Sequence, residues 1–401
     1  MEHLLFKIFL ICFTEDFVFA YTLTNEQNLH TALLTGYNKD LRPGTDRTYP
    51  LEVNATFYLF SIKEFDLDTG KFSLTGVFQV NWYDERLSWD LATYNQTNST
   101  SIPQQKLWLP DLINVNPYEN IRGLGSDLIK VIVFYTGMCD WYALQAFEVI
   151  CDADVTKFPF DTQYCTLKFF IWGYQPNEVN VNFISSKMIL TLYTENGIWE
   201  VADSICHTQS NVYGYKEIVV GLHLKRRTAY YVVSLVLPIT TIAGLMGFVF
   251  LVPHDSGERL GFSITVLLSI VVYLTIVQDM LPEASEPNIS IMGYILVSFV
   301  LSGALVVVLV IISLRIQNCP DDKPIPQSVA QVVRCCRRRR QKKNKDSVEP
   351  INEKCGSLDD DESDGHVTWY EVGKCFDFVC FTSLITQLIV TCVTYFSIVL
   401  S

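Results

Sequence analysis

Glu258-Arg-Leu-Gly-Phe-Ser-Ile-Thr-Val-Leu-Leu-Ser-Ile-Val-Val-Tyr-Leu-Thr-Ile-Val-Gln-Asp279 carries an acid at each end and no charge between Arg259 and Asp279. Taken in steps of three and four, Glu258, Gly261, Thr265, Leu268, Val272, Thr275 and Asp279 fall on one stripe of a helix. Helical rise sets the two acids about 31 Å apart, so each lies near one face of a hydrocarbon core about 30 Å thick. A helix that merely packs among others also collects small and hydroxyl residues, but it has no use for acids at both ends. Rings of Asp or Glu select cations and apolar rings gate by dewetting, so the stripe reads as pore lining with Leu268 and Val272 at the constriction.

Three more stretches are long and apolar enough to cross a bilayer: Ala229 to Leu251, Ile291 to Leu314 and Cys375 to Leu400, with the pore candidate at Leu260 to Leu281. The 49% hydrophobic content is thus concentrated in the second half of the 401 residues. At the N-terminus, the apolar run Leu4 to Phe13 followed by Val18-Phe19-Ala20 reads as a signal peptide over residues 1–20. Asn54, Asn95 and Asn98 each open a glycan acceptor triplet ahead of the first span; Asn288 opens a fourth beside two spans. From Arg334 to Lys345 there are eight basic residues in twelve, which belongs on the cytoplasmic side. Both signals place the N-terminus outside and, after four spans, the C-terminus outside too. The reading of the chain is a signal peptide (1–20), an extracellular β domain (21–227), three spans (228–316), a largely disordered cytoplasmic loop (317–373) and a fourth span (374–401). The basic run suits a solvated loop beside anionic membrane lipid better than a nucleic-acid contact.

The extracellular half reads as strands, in runs such as Phe57-Tyr-Leu-Phe, Phe78-Gln-Val-Asn-Trp, Leu128-Ile-Lys-Val-Ile-Val-Phe-Tyr and Ile218-Val-Val-Gly-Leu-His-Leu. Its length suits a sandwich, with one early helix near Asn25 to Thr35. Four cysteines fall here, at 139, 151, 165 and 206. Cys151-Asp-Ala-Asp-Val-Thr-Lys-Phe-Pro-Phe-Asp-Thr-Gln-Tyr-Cys165 is the most specific motif of the chain: a bridge would close a small loop tipped by Phe158, Pro159, Phe160 and Asp161. The six histidines are scattered, and no nucleophile elbow, phosphate loop or metal-ligand cluster is present in the sequence, so an enzyme, a cofactor or a metal site is not expected.

That motif resembles the signature of the Cys-loop receptors, the pentameric ligand-gated channels that include acetylcholine, serotonin, GABA and glycine receptors. Trp82-Tyr-Asp-Glu-Arg-Leu-Ser-Trp-Asp90 and Trp108-Leu-Pro-Asp111 are similar to two core motifs of its extracellular domain, with the nicotinic branch nearest, and Asp255-Ser-Gly-Glu-Arg-Leu260 to the start of its pore helix. The resemblance implies a modular fold, a ten-stranded extracellular sandwich followed by a four-helix transmembrane bundle. It further implies a Cys151–Cys165 disulfide, a pentamer with four other subunits, identical or not, at the plasma membrane or a postsynaptic site, and a small extracellular ligand bound between neighbours. Anion channels of the family typically carry Pro-Ala where this chain has Gly257-Glu258 before Arg259, so permeant cations are expected. From Tyr21 to Arg227 there are 16 basic and 23 acidic residues, a net charge of −7 that would concentrate cations. Gly261 departs from the family's usual Thr or Ser.

For the ligand, the resemblance points to an aromatic box. Trp172 matches its central tryptophan, Tyr174 lies in the same segment, and Tyr215 with Tyr213 belongs to the flap before the first span. Val115 and Val77 stand where a tyrosine and a tryptophan are expected, and the flap lacks the adjacent cysteine pair of agonist-binding nicotinic subunits. Each missing ring removes roughly 0.5–2 kcal/mol of attraction for a cationic amine, which leaves a bulky amphipathic ligand open as well. For coupling of binding to the pore, Arg226 aligns with an arginine that meets acids at the base of the sandwich; Asp66 and Asp68 are its candidate partners, and the Phe158–Phe160 tip is expected to press on the linker after Pro282. A subunit active only in heteropentamers and a non-conducting adhesion or binding protein are the alternatives; the acid-ended stripe argues against the second.

Overall fold

The computed structural model describes residues 22–253, 257–280, 289–320, 323–331, 333–334 and 367–400. The signal-peptide reading, Asn288, Pro282 and most of the basic and acidic loop lie outside them. The chain divides into two compact units, Met1–Ala153 with Thr162–Arg227, and Asp154–Asp161 with Thr228–Ser401.

The first unit opens with helix α1 (Leu23–Leu34), capped by Thr22, whose Oγ1 accepts from the Asn25 N–H, and seated through Leu29 and Leu33. Ten strands follow: β1 (Leu51–Asp66), β2 (Lys71–Tyr83), β3 (Ser99–Pro103), β4 (Leu112–Asn114), β5 (Lys130–Phe134), β6 (Met138–Ile150), β7 (Thr162–Ile171), β8 (Val179–Phe183), β9 (Trp199–Ser210) and β10 (Lys216–Arg226). They form a six-stranded sheet in the order β3-β5-β6-β2-β1-β8 and a four-stranded sheet in the order β4-β7-β10-β9. All pairings are antiparallel except β1 with β8.

Alternation assigns the faces. Phe57, opposite Phe78 in the β1–β2 register, points into the core, where the two ring centroids lie 4.7 Å apart and Phe147 and Phe169 close on Phe78 at 5.7 and 4.8 Å. Gly76 beside them is required by space, since a β-carbon there would come within 2.5 Å of the Phe57 ring and 2.7 Å of a backbone oxygen. The Trp82–Asp90 motif is structural: the fully buried Asp84 accepts from the Tyr37 hydroxyl at 2.8 Å and pairs with Arg86 at 2.8 Å, while the guanidinium covers the Tyr37 ring. The Cys151–Cys165 disulfide is present, and Cys139 and Cys206, on different sheets, are buried free thiols.

The second unit holds four helices of spanning length: α2 (Ala229–Leu251), α3 (Arg259–Gln278), α4 (Ile291–Gln317) and α5 (Trp369–Leu400). Five residues of α2, Val232–Val236, are wound as a π-type turn that ends two residues before Pro238. α5 begins at Trp369, ahead of the expected Cys375. Its polar foot is accommodated: Lys374 lies over the Tyr370 ring, and Asp377 is paired inside the bundle.

Candidate ligand site and pore-facing helix

On the four-stranded sheet, Trp172 follows directly after β7 and is 61% exposed. Its N–H donates to the Asp111 carbonyl at 2.9 Å, which fixes its backbone against the Trp108–Asp111 segment. Phe170 joins it to the flap, with centroid distances of 5.5 Å to Trp172 and 6.0 Å to Tyr215. Burial raises the Asp111 carboxyl above its ordinary range, so a negative charge there is held at some cost.

The flap is the β9–β10 hairpin loop, residues 211–215, and Asn211 organises it. Its Oδ1 accepts from the N–H groups of Tyr213 and Tyr215, both at 3.0 Å, and its Nδ2 donates to Glu217 at 3.1 Å. Gly214, at φ +85°, makes the turn that other residues resist. Tyr213 is thereby left 81% exposed at the tip. Tyr174 has another occupation: its hydroxyl accepts from Trp108 Nε1 at 2.8 Å, and its half-buried ring packs against the core. At the flap end of this sheet, aromatic surface is thus supplied by the exposed Trp172 and Tyr213 and by the half-buried Phe170–Tyr215 pair.

Val115 is exposed beside β7, its N–H donating to the Lys168 carbonyl at 2.8 Å. Val77 lies on the other sheet, on its outer face, opposite Tyr58 and Leu144 in register. The same face carries a ladder that sequence reading did not single out: Tyr58 OH donates to Gln79 Oε1 at 3.0 Å, and Gln79 Nε2 donates to Tyr142 OH at 3.0 Å. The period-two spacing of Val77 and Gln79 was the available signal.

At the end of β10, Arg226 is buried with its guanidinium 4.2 Å from the Trp199 ring centroid. Asp66 accepts from the Asp68 N–H at 3.0 Å and from the Thr69 hydroxyl at 2.7 Å, and the Thr69 bond holds its carboxyl below the usual range.

The Cys-loop tip belongs to the helical unit. Phe158 is buried with its ring 5.5 Å from Tyr231 at the start of α2, and its carbonyl accepts from the Tyr395 hydroxyl of α5 at 3.1 Å. Phe160 packs edge-on against Tyr395 and Phe396, and the Ile291 N–H that opens α4 donates to the Thr156 carbonyl at 3.0 Å. Pro159 and Asp161 are buried as well. The tip therefore touches the outer ends of three helices, whereas the linker after Pro282 falls outside the described residues.

Along α3, every residue of the acid-ended stripe, Glu258, Gly261, Thr265, Leu268, Val272, Thr275 and Asp279, is exposed in the single chain. The opposite face, Arg259, Ser263, Val266, Ile270 and Val277, is buried against the other helices. Thr265 and Thr275 bond back to carbonyls three or four residues earlier, which satisfies their hydroxyls within the helix. A β-carbon at Gly261 would meet nothing within 4 Å, so packing within the subunit does not require glycine there.

Residues 26–228 match the profile of the neurotransmitter-gated ion-channel ligand binding domain, and residues 235–371 that of the neurotransmitter-gated ion-channel transmembrane region. The chain belongs to the neurotransmitter-gated ion channel family. Among curated members, it is 30% identical to acetylcholine receptor subunit beta-type unc-29 of Caenorhabditis elegans over 310 residues, which are 77% of this chain and 62% of that subunit. It is 29% identical to acetylcholine receptor subunit alpha-1-B of Xenopus laevis over 316 residues, 77% of this chain and 68% of that one. It is 30% identical to ligand-gated ion channel 4 of Caenorhabditis elegans over 303 residues, 73% of this chain and 47% of that one. The nicotinic-like branch is thus the one it falls in. As a member of this family, it is a multi-pass plasma-membrane protein and not an enzyme.

Proposed function

We propose that this chain is a subunit of a pentameric, cation-selective channel opened by a small extracellular ligand. The observation that carries this is the two-faced α3: the acid-ended stripe is turned away from the subunit's own bundle, and the opposite face is buried within it. Five such stripes around an axis would give an acidic ring at Glu258, another at Asp279, and apolar rings at Leu268 and Val272 between them. The ligand would lie between the Trp172–Tyr215 face of one subunit and the Val77–Tyr142 face of the next. Trp172, Tyr213 and Tyr215 suit a cationic amine; the valines at 77 and 115 leave room for a bulkier amphipathic molecule.

The test is expression in oocytes under voltage clamp, with a screen of small amines, steroids and protons, followed by reversal potentials in Glu258→Ala. The wild-type reversal potential should follow sodium, and Glu258→Ala should shift it toward chloride. Unchanged relative permeability in a conducting variant refutes the selectivity assignment. The two valines, one on each of the proposed faces, take a ring from both sides of the box and favour a second reading as a subunit that conducts only in heteropentamers. In that case currents arise only when a second, nicotinic-like subunit is supplied.

A further inference from the structure

The first span is broken at a defined place. In an α-helix the carbonyl of Ser234 would accept from the N–H of residue 238, but residue 238 is proline and has none. The backbone around it is wound with one extra residue per turn: the Leu237 N–H reaches back five positions to the Val232 carbonyl. Within a membrane, a carbonyl that loses its helical partner must find another donor. The hydroxyl of Tyr273 on α3 supplies it, at 2.6 Å from the Ser234 oxygen and 3.1 Å from that of Leu235, so that one proton is shared between two carbonyls.

Tyr273 is placed for this by its helical position. It follows Ile270 by three residues and precedes Val277 by four, which puts it on the buried face of α3. It is also the residue directly after Val272, so the contact lies level with the proposed constriction. The interrupted span is covalently continuous with β10, whose other end begins at the flap.

We propose that Tyr273 is a positioning residue for gating. Its hydroxyl completes the backbone of the first span where Pro238 has opened it, and so ties the wall of the constriction to the one place where that span can change its winding. Winding the turn back to a regular helix, or moving the pore helix away, releases the bond. The position of the constriction and the winding of the first span are therefore linked.

The experiment is a double-mutant cycle on the full-length chain, with Tyr273→Phe, Pro238→Ala and the pair. Pro238→Ala restores an N–H for Ser234 and makes the hydroxyl redundant. Tyr294→Phe, an exposed tyrosine of α4, is the control. In the detergent-solubilised protein Tyr273→Phe should lower Tm by about 1–4 °C, and by less than half as much in the Pro238→Ala background. Equal falls in both backgrounds, or a fall no larger than the control's, overturn the contact. The gating arm rests on the channel reading. With Leu268→Thr present to open channels without agonist, Tyr273→Phe should change the agonist-free current per surface channel at least threefold in one direction. A change under threefold overturns the role in gating. If Leu268→Thr passes no current in any subunit combination, the channel reading fails, and the melting cycle alone decides the contact.

Discussion

Arg259 follows Glu258 directly, yet it points the opposite way and is 1% exposed. Its NH2 lies 2.7 Å from Asp377 Oδ1 on α5, as a charge contact rather than an aligned hydrogen bond. NH1 donates to Ser313 on α4 at 3.3 Å, and Nε donates to the Val249 carbonyl of α2 at 3.2 Å. Asp377 in turn accepts from Ser313 and from Gln317 Nε2 at 2.7 Å. One guanidinium therefore reaches each of the other three described helices of spanning length. Neutralising Asp377 leaves that cation buried with only neutral acceptors, a change that costs about 3–5 kcal/mol where a buried pair loses one partner. We expect Asp377→Asn to lower Tm of the solubilised protein by on the order of 10 °C and to reduce surface expression. Replacing both members, Arg259→Met with Asp377→Leu, should recover most of the loss, because it removes the stranded charge along with its partner. A fall of less than about 1 °C in Asp377→Asn, or a double variant no more stable than the worse single one, would refute the assignment of a desolvated pair.

Leu268→Thr should hydrate the constriction and raise agonist-free current, read under voltage clamp; unaltered leak and gating in well-expressed variants counts against Leu268 as the gate. Arg226→Gln paired with Asp66→Asn and with Asp68→Asn should show coupling in gating free energy above 1 kcal/mol for at least one pair, and coupling within error of zero for both removes the proposed contact. Burial pushes the Cys206 thiol up to about 12, so at pH 8 roughly one thiol in ten thousand is ionised. Native protein should therefore resist iodoacetamide at Cys206 until denaturant is added, as read by mass spectrometry, and rapid native labelling would contradict its burial.

Periodicity was legible in the sequence, and partnership was not. The stripe from Glu258 to Asp279 could be read because 3.6-residue spacing is local, and the strand runs at Phe57, Phe78 and Ile218 because β-branched and aromatic residues cluster there. The short β3, Ser-Thr-Ser-Ile-Pro, carried no such signal, and β8, Val-Asn-Val-Asn-Phe, alternates but over only five residues. The Arg259–Asp377 pair joins residues 118 positions apart, and nothing in either neighbourhood announces the other. Tyr273 looked like one more apolar residue of a span; only the gap left by Pro238 gives its hydroxyl a purpose. Tyr174 shared a segment with Trp172, but a tyrosine two residues on from another aromatic can turn to core or solvent, and the Trp108 indole turned it inward.

The grip of Tyr395 on the Phe158 carbonyl has a consequence for the bilayer itself. Little of α5 is buried within the subunit, so its tilt should respond to the match between its apolar length and the thickness of the surrounding hydrocarbon. Thinner or thicker lipid shifts the outer end of α5, and with it Tyr395, Phe396 and the loop tip they hold. The bilayer would then act as an effector of this protein, and sterol content becomes a variable to be held constant in any recording from it.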